Sequence, residues 1–393
     1  KCLNVQVGWH ESRVPLIQDS VPRGAFVHIA EEIKRAVNIP IIAAYRINEP
    51  GIAHEILAEG RADLIGLGRA LIADPYFPNK IVEGRIDEIR PCLACCRCLD
   101  QMFLNGMLDC TVNPGVGLES KYDKALSSEP KKVLVVGGGP GGMEAASSAA
   151  ALGHNVSLWE KGDKLGGQLI LAVVPPHKEE ISRLILQQRH MLEKAGVKVE
   201  YEKEGTTQSI VAENPDVVIL ATGSNPIIPA IPGVKGENVV LALDVLAGVK
   251  QAGESVIVVG GGLVGCETAE LLAEQGKKVS ILEMLGRIGN DMGSATRWVQ
   301  LGRLREAEVR METKAKVTEI TEKGVNICRE DQQEFIEGDT VILAVGMKSD
   351  DHLAKSLEGK VSELINVGDC TEPRKIKEAV TEGYVAGSEI GLT

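Results

Sequence analysis

The first ninety residues alternate short apolar runs with amphipathic stretches. The runs are "LNVQVG" (3–8), "IPIIAAYR" (39–46) and "ADLIGLGR" (62–69), and between them "FVHIAEEIKRAV" (26–37) and "GIAHEILAEG" (51–60) carry apolar residues at helical spacing. Strand and helix in alternation predict parallel βαβ units. Three strands can neither close a barrel nor cover both faces of a parallel sheet, so further strands are expected to belong with them. The chain opens on Lys1 without Met, inside what reads as a strand, which suggests that an N-terminal part is missing. A polar linker, "GLESKYDKALSSEPKK" (117–132), separates this region from the rest.

Beyond the linker the pattern repeats. "KVLVVGGGPGGMEAASSAAALGHNVSLWEK" (132–161) matches "SVIVVGGGLVGCETAELLAEQGKKVSILEM" (255–284). Each copy is an apolar strand, G-x-G-x-x-G, a helix and a second strand ending in an acid. The glycines are Gly137, Gly139 and Gly142 in the first copy and Gly260, Gly262 and Gly265 in the second. The acids, Glu160 and Glu283, each follow the first glycine by 23 positions. The first glycine permits the tight turn, the second admits a pyrophosphate to the backbone, and the third lets helix and strand approach. The acid accepts ribose hydroxyls. One such motif is weak; two, each with strand, helix and spaced acid, define two dinucleotide folds.

Composition narrows the chemistry. The 393 residues suffice for two or three domains, and 43 glycines with 3% aromatics suit tight phosphate-facing turns better than a base-stacking surface. A net charge of −12 argues against nucleic acid or anionic lipid as the main partner. No apolar run is long enough for a membrane span, and no leader pattern opens the chain. Nine cysteines, odd in number and clustered, do not form a secreted disulfide framework, so a reducing cytoplasm is expected.

Five of those cysteines fall in residues 92–110, and Cys92, Cys95, Cys98 and Cys110 read C-x2-C-x2-C-x11-C. Sulfurs three residues apart in a tight turn can share one small cavity, and the distant fourth can close it. Four thiolates suit a [4Fe–4S] cluster. A four-cysteine structural zinc site is the rival, although zinc usually shows two separate C-x2-C pairs. Cys96 is surplus and is taken as a non-ligand. Cys266, Cys328 and Cys370 stand alone, which suits buried inert thiols and offers no redox dithiol.

The motifs "GGQL" (166–169), "VVILATGSNP" (217–226), "VILAVG" (341–346) and "INVGDC" (365–370) resemble those of the flavin/pyridine nucleotide-disulfide oxidoreductases, in which an NAD(P)H domain is nested in a split FAD domain. The resemblance implies that Gly137, Gly139, Gly142, Glu160 and Gln168 face FAD, with Asp369 near its ribityl chain. It implies that Gly260, Gly262, Gly265 and Glu283 hold the nicotinamide nucleotide. The Glu283 carboxylate would repel a 2′-phosphate and so favours NADH over NADPH, while Arg287, four residues on, works the other way.

"RPCLACCRCLDQMF" and "CTVNP", with "VGWHESRVP" (7–15), "YRI" (45–47) and "IGLGRALIADP" (65–75), resemble the multidomain branch of the old yellow enzyme family. That branch includes 2,4-dienoyl-CoA reductase, 2-enoate reductase and trimethylamine dehydrogenase. The fold implied is α/β: the C-terminal part of a (β/α)8 FMN barrel in 1–90, an iron–sulfur segment and linker in 91–130, an FAD domain in 131–235 plus 346–393, and an NAD(H) domain in 236–345. Arg46, Gly68 and Arg69 would bind the FMN phosphate, at a site incomplete in this chain. His10 would hydrogen-bond a substrate carbonyl, with Glu11, Ser12 and Arg13 nearby. The activity implied runs from NADH through FAD and the cluster to FMN, ending in reduction of an activated C=C bond. The cysteine spacing is nearer the amine dehydrogenase variant, whereas "GWHES" and "CLDQ" resemble the reductases. An amine dehydrogenase and an auxiliary electron-transfer subunit therefore remain alternatives. The partners implied are a small unsaturated molecule and, beyond it, a second copy or an electron-transfer protein.

Overall fold

A computed structural model describes residues 1–8, 12, 15–122, 127 and 129–391. The chain divides into two units, one of residues 1–169, 179–223 and 349–393 and the other of residues 170–178 and 224–348.

The first unit begins with a parallel sheet of three short strands, Leu3–Asn4, Ile41–Ala43 and Leu64–Ile65, in chain order. Leu3 lies opposite Ile41, and Ile42 opposite Leu64. The helices Val27–Ala36 and Pro50–Ala58 follow the predicted amphipathic stretches and bury Val27, Ala30 and Ile56 with Val5, Ile41 and Ala43. The strands are shorter than their apolar runs. Among the described residues the outer two have a ladder partner on one side alone, and Leu64 stays 49% exposed.

A second parallel sheet in this unit runs Leu364–Asn366, Val217–Leu220, Lys132–Val136, Asn155–Trp159 and Lys198–Glu200. Its central strands read as unbroken apolar runs because helices cover them: Val133 to Val136 and Val217 to Leu220 are all buried. The helix Pro140–Ala151 lies along the helix Ile376–Ser388 with almost no side chain between them. A methyl group built at Gly383 would overlap the Gly141 carbonyl, and one at Gly387 the Ala145 carbonyl. The C-terminal segment thus returns to the sheet that opened near residue 132, as the split-domain resemblance implied.

The second unit holds a five-stranded parallel sheet in the order Arg310–Glu312, Lys278–Leu282, Ser255–Val259, Thr340–Leu343, Val239–Leu241. Three antiparallel strands, Lys316–Thr321, Gly324–Arg329 and Gln332–Glu337, pack beside it. This unit is larger than the 236–345 read from sequence. Residues 224–235 join it because Ile231 and Val234 pack on the same core as Val317 and Ile320, with the Ile320 N–H donating to Pro232. Residues 170–178 join it too, and Lys178 pairs with Glu267 at 3.1 Å. No helix of the described residues is long and apolar enough to cross a membrane.

Candidate functional site

The cysteine segment is shaped by two left-handed residues and one ion pair. Ala94 (φ 53°) and Cys96 (φ 59°) turn the backbone sharply just before the helix Arg97–Phe103. Few non-glycine residues adopt this conformation, so tertiary packing holds the loop. Arg97 then grips Asp109 through Nε and Nη2 at 2.9–3.1 Å, and Gln101 donates to the same carboxylate. That clip brings Cys110 back to the loop. Cys95 Sγ lies 3.2 Å from Thr111 Oγ1. Cys92, Cys95, Cys96, Cys98 and Cys110 line one small pocket with Arg69.

Burial works against ionisation here. It pushes the Cys98 thiol up to about 11, against the pull of nearby Arg69, and the Cys110 thiol up to about 12. It raises Cys95 and Cys96 as well. A bound metal reverses this balance, because a coordinating thiol is held deprotonated. Four sulfurs around one zinc ion would stand about 3.8 Å apart, given Zn–S bonds of about 2.3 Å in a tetrahedron. Among the described residues, the donor atoms that converge in a threesome within 4.8 Å are those of His177, Glu270 and Glu274, and no three cysteine sulfurs do. Cys96 shares the pocket, but its Sγ points to the carbonyls of Ala94 (3.4 Å) and Ile17 (3.8 Å).

Each glycine fingerprint forms a strand–turn–helix element. Gly137 (φ 108°) and Gly260 (φ 107°) adopt backbone angles that favour glycine, and a methyl group at either would overlap a carbonyl of the neighbouring strand's end, Ala221 or Ala344. At Gly142 and Gly265 it would overlap the Gly137 and Gly260 carbonyls, so the helices close directly onto their turns. At Gly139 it would meet nothing within 4 Å, which leaves room for a phosphate at the start of the helix Pro140–Ala151. Glu160 folds back onto the turn, accepting from the Gly138 N–H (2.7 Å) and the Gly162 N–H (2.7 Å). Glu283 does the same with Gly261 (2.8 Å) and Leu285 (2.7 Å). Gln168 and Asp369 lie in the first fingerprint's neighbourhood. Gln168 precedes the helix Leu169–Ala172, beside Gly167, whose added methyl would stand 2.9 Å from Gly139 Cα. Asp369 follows Gly368, which packs, like Gly141, on Ala379, and it accepts from the Arg374 N–H at 3.1 Å.

The residues assigned by resemblance to an FMN phosphate have other partners. Arg46 is buried, and its guanidinium donates to Glu180 (2.9 Å) and to the Val21 carbonyl (2.7 Å). Arg69, at the start of the helix Arg69–Ala73 capped by Gly68, directs Nη1 to Cys96 Sγ at 3.7 Å. In this structure a buried carboxylate takes one of these guanidiniums and the sulfur pocket takes the other. His10, with Glu11 and Arg13, lies outside the described residues.

Sequence reasoning missed the centre that holds these segments together. Glu180 begins the helix Glu180–Lys194 and is bound by Arg23, Arg46 and Arg183. Burial alone would raise its pKa, but hydrogen bonding and charge from Arg23, then Arg46, bring it down to about 2. Asn48 donates to Glu180 and to the Cys92 carbonyl (2.8 Å), joining this network to the cysteine loop. A second clamp, Arg90 on Glu144, ties the same loop to the helix Pro140–Ala151, and Arg90 also donates to the Val112 carbonyl. Nothing in local spacing marks these residues, since Arg46 and Glu180 are 134 positions apart.

Two dinucleotide folds and a thiol pocket set against a β/α segment define a flavin- and nicotinamide-dependent oxidoreductase class. Residues 131–383 match the pyridine nucleotide-disulphide oxidoreductase family, and residues 3–88 match the NADH:flavin oxidoreductase / NADH oxidase family. The chain belongs to the multidomain, old-yellow-enzyme-like NADH:flavin oxidoreductases. It is 44% identical over 398 residues to an NADH oxidase of Thermoanaerobacter brockii, covering 99% of this chain and 61% of that protein. It is 33% identical over 396 residues to a cinnamate reductase of Clostridium sporogenes, covering 99% of this chain and 59% of that one. A solved 2-naphthoyl-CoA reductase, in complex with 2-naphthoyl-CoA, superimposes with a TM-score of 0.96 at 37% identity, over 99% of this chain and 60% of the other. The chain thus spans about three fifths of the length of these relatives.

Proposed function

We propose that this chain is the electron-input part of an NADH-dependent iron–sulfur flavoprotein that reduces an activated C=C bond, in an enoate, an enoyl- or dienoyl-CoA, or an enone. The observation that carries the reading is the position of the cysteine pocket. Cys92 and Cys110 pack in one apolar cluster with Ala73 of the FMN-family segment and with Leu169, Leu184 and Ile376 of the FAD-type fold. The C-x2-C-x2-C-x11-C spacing supports a [4Fe–4S] cluster over zinc, which usually shows two separate C-x2-C pairs. When bound, these groups would supply two-electron chemistry with NADH at FAD, one-electron transfer at a cluster and reducing power toward the alkene at FMN.

The chain's own residues have defined tasks in this reading. Cys92, Cys95, Cys98 and Cys110 supply four thiolates from one small pocket. Gly137, Gly139 and Gly142 admit the FAD pyrophosphate to the helix N-terminus, with Glu160 positioned for the ribose and Gln168 and Asp369 bordering the site. Gly260, Gly262 and Gly265 serve the nicotinamide nucleotide, and Glu283 selects NADH against a 2′-phosphate. Gly68 and Arg69 border the FMN side. His10 would hydrogen-bond the substrate carbonyl as negative charge develops on its oxygen.

The test is metal and cofactor analysis of anaerobically purified protein. Iron and acid-labile sulfide in equal amounts, about four each per chain, would support the reading. Stoichiometric zinc, or neither iron nor sulfide, would overturn it. Replacing Cys110 by Ser should lower iron content while leaving FAD bound.

A further inference from the structure

The two glycine turns follow one plan, displaced by 123 positions. Leu165 and Ile288 are both buried under the turn. The Gly166 N–H donates to Gly138 (2.9 Å), and its counterpart Gly289 donates to Gly261 (2.6 Å). The acids Glu160 and Glu283 bind the same two backbone positions. The plan breaks two residues later, where the first copy has Gln168 and the second Asp291.

That difference changes the mouth of the turn. Around Gly139 an added methyl meets nothing within 4 Å, whereas at Gly262 it would lie 3.3 Å from Asp291 Oδ2. Both Asp291 oxygens accept from the Leu263 N–H, at 3.0 and 3.1 Å. Leu263 is the first residue of the helix Leu263–Glu274. Its counterpart, Pro140, has no N–H to offer.

We infer that Asp291 is a built-in competitor for the pyrophosphate of the nicotinamide dinucleotide. Its carboxylate holds a helix N-terminal N–H, the kind of donor that a pyrophosphate takes at such a turn, and must swing aside before the nucleotide seats. It gives the two folds different duties. The first keeps an open mouth for a resident cofactor. The second returns an anion of its own to the helix after each turnover, which drives a spent nucleotide out. This rests on the reading of the second fingerprint as the nicotinamide site.

The experiment uses the FAD-loaded chain and measures binding of NAD⁺ and of ADP-ribose by calorimetry, in wild type and in Asp291→Asn. A neutral amide grips the N–H less than a carboxylate does and does not repel the pyrophosphate. The expected result is a Kd lowered about tenfold for both ligands, with flavin content unchanged. Asp291→Ala should shift in the same direction. In the other turn, Gln168→Glu should lower flavin retention. Wild-type affinity or weaker binding in both Asp291 variants, with flavin content and melting temperature preserved, would overturn the competitor role alone. Failure of the wild type to bind either ligand would overturn the nicotinamide assignment and this inference with it.

Discussion

Gly139 and Gly142 sit three residues apart and answer different physical demands. A methyl group at Gly142 would overlap the Gly137 carbonyl, so Gly142→Ala must push the helix off its turn. We expect it to lose FAD and to destabilise the fold by about 1–3 kcal/mol, as overpacking does. A methyl group at Gly139 meets open space. Gly139→Ala should leave the melt within about 0.5 kcal/mol of wild type while lowering flavin content, because the methyl occupies room meant for a phosphate. Flavin absorbance per chain and thermal melting separate the two outcomes. Glu180 makes the second residue-scale prediction. Glu180→Gln leaves Arg46, whose side chain is 3% exposed, as a buried unpaired charge, at a cost of about 3–5 kcal/mol. The same pair sets an acid limit. Glu180 has its folded pKa depressed to about 2 from an ordinary 4.5. Its contribution to stability is therefore complete above about pH 4.5 and is lost as pH falls toward 2. Urea melts between pH 6 and 3 should show this contribution level above about pH 4.5 and falling below it, and Glu180→Gln should flatten that fall.

At the scale of elements, the helix pair Pro140–Ala151 and Ile376–Ser388 fixes the FAD-type fold, and its closeness depends on small residues. Gly387→Ala puts a methyl into the Ala145 carbonyl, with Ser148 Cβ 2.8 Å away. We expect a loss of about 1–3 kcal/mol and weakened FAD retention, read by denaturant melts and flavin release. The cysteine loop works differently. It has little regular structure of its own and is held by Arg97–Asp109, Arg90–Glu144 and Asn48. Its thiol spacing was legible in the sequence because thiols three residues apart are a local feature. That the five thiols line one pocket with Arg69 was not, because spacing does not set which distant side chains close it. The two clamps were equally hidden, since ion pairs between segments far apart in sequence leave no periodicity to read. The arginines were likewise read by motif alone. Arg46 and Arg69 matched phosphate-binding positions by motif, and their contacts with Glu180 and Cys96 in the folded chain were not legible.

The whole chain combines two complete dinucleotide folds with a three-stranded β/α segment whose outer strands have a partner on one side alone among the described residues. We expect a preparation of these 393 residues to retain FAD and to oxidise NADH with an artificial acceptor. It should not reduce an α,β-unsaturated acid, because a three-stranded segment gives FMN an incomplete cradle. Acceptor-coupled NADH oxidation beside an enoate assay checks both halves, and robust enoate reduction would refute the incomplete-barrel argument. The sequence by itself determined the repeat, the glycine turns, the spaced acids and the cysteine set. Each of these depends on backbone sterics or on residues within one turn of each other, so the chain states them locally. The tertiary structure decided where the second unit begins, which guanidinium meets which anion, and that Asp291 covers one helix N-terminus while the other stays open. Those outcomes depend on which distant groups are buried together, where desolvation makes every charge find a partner, and a linear pattern does not carry that information.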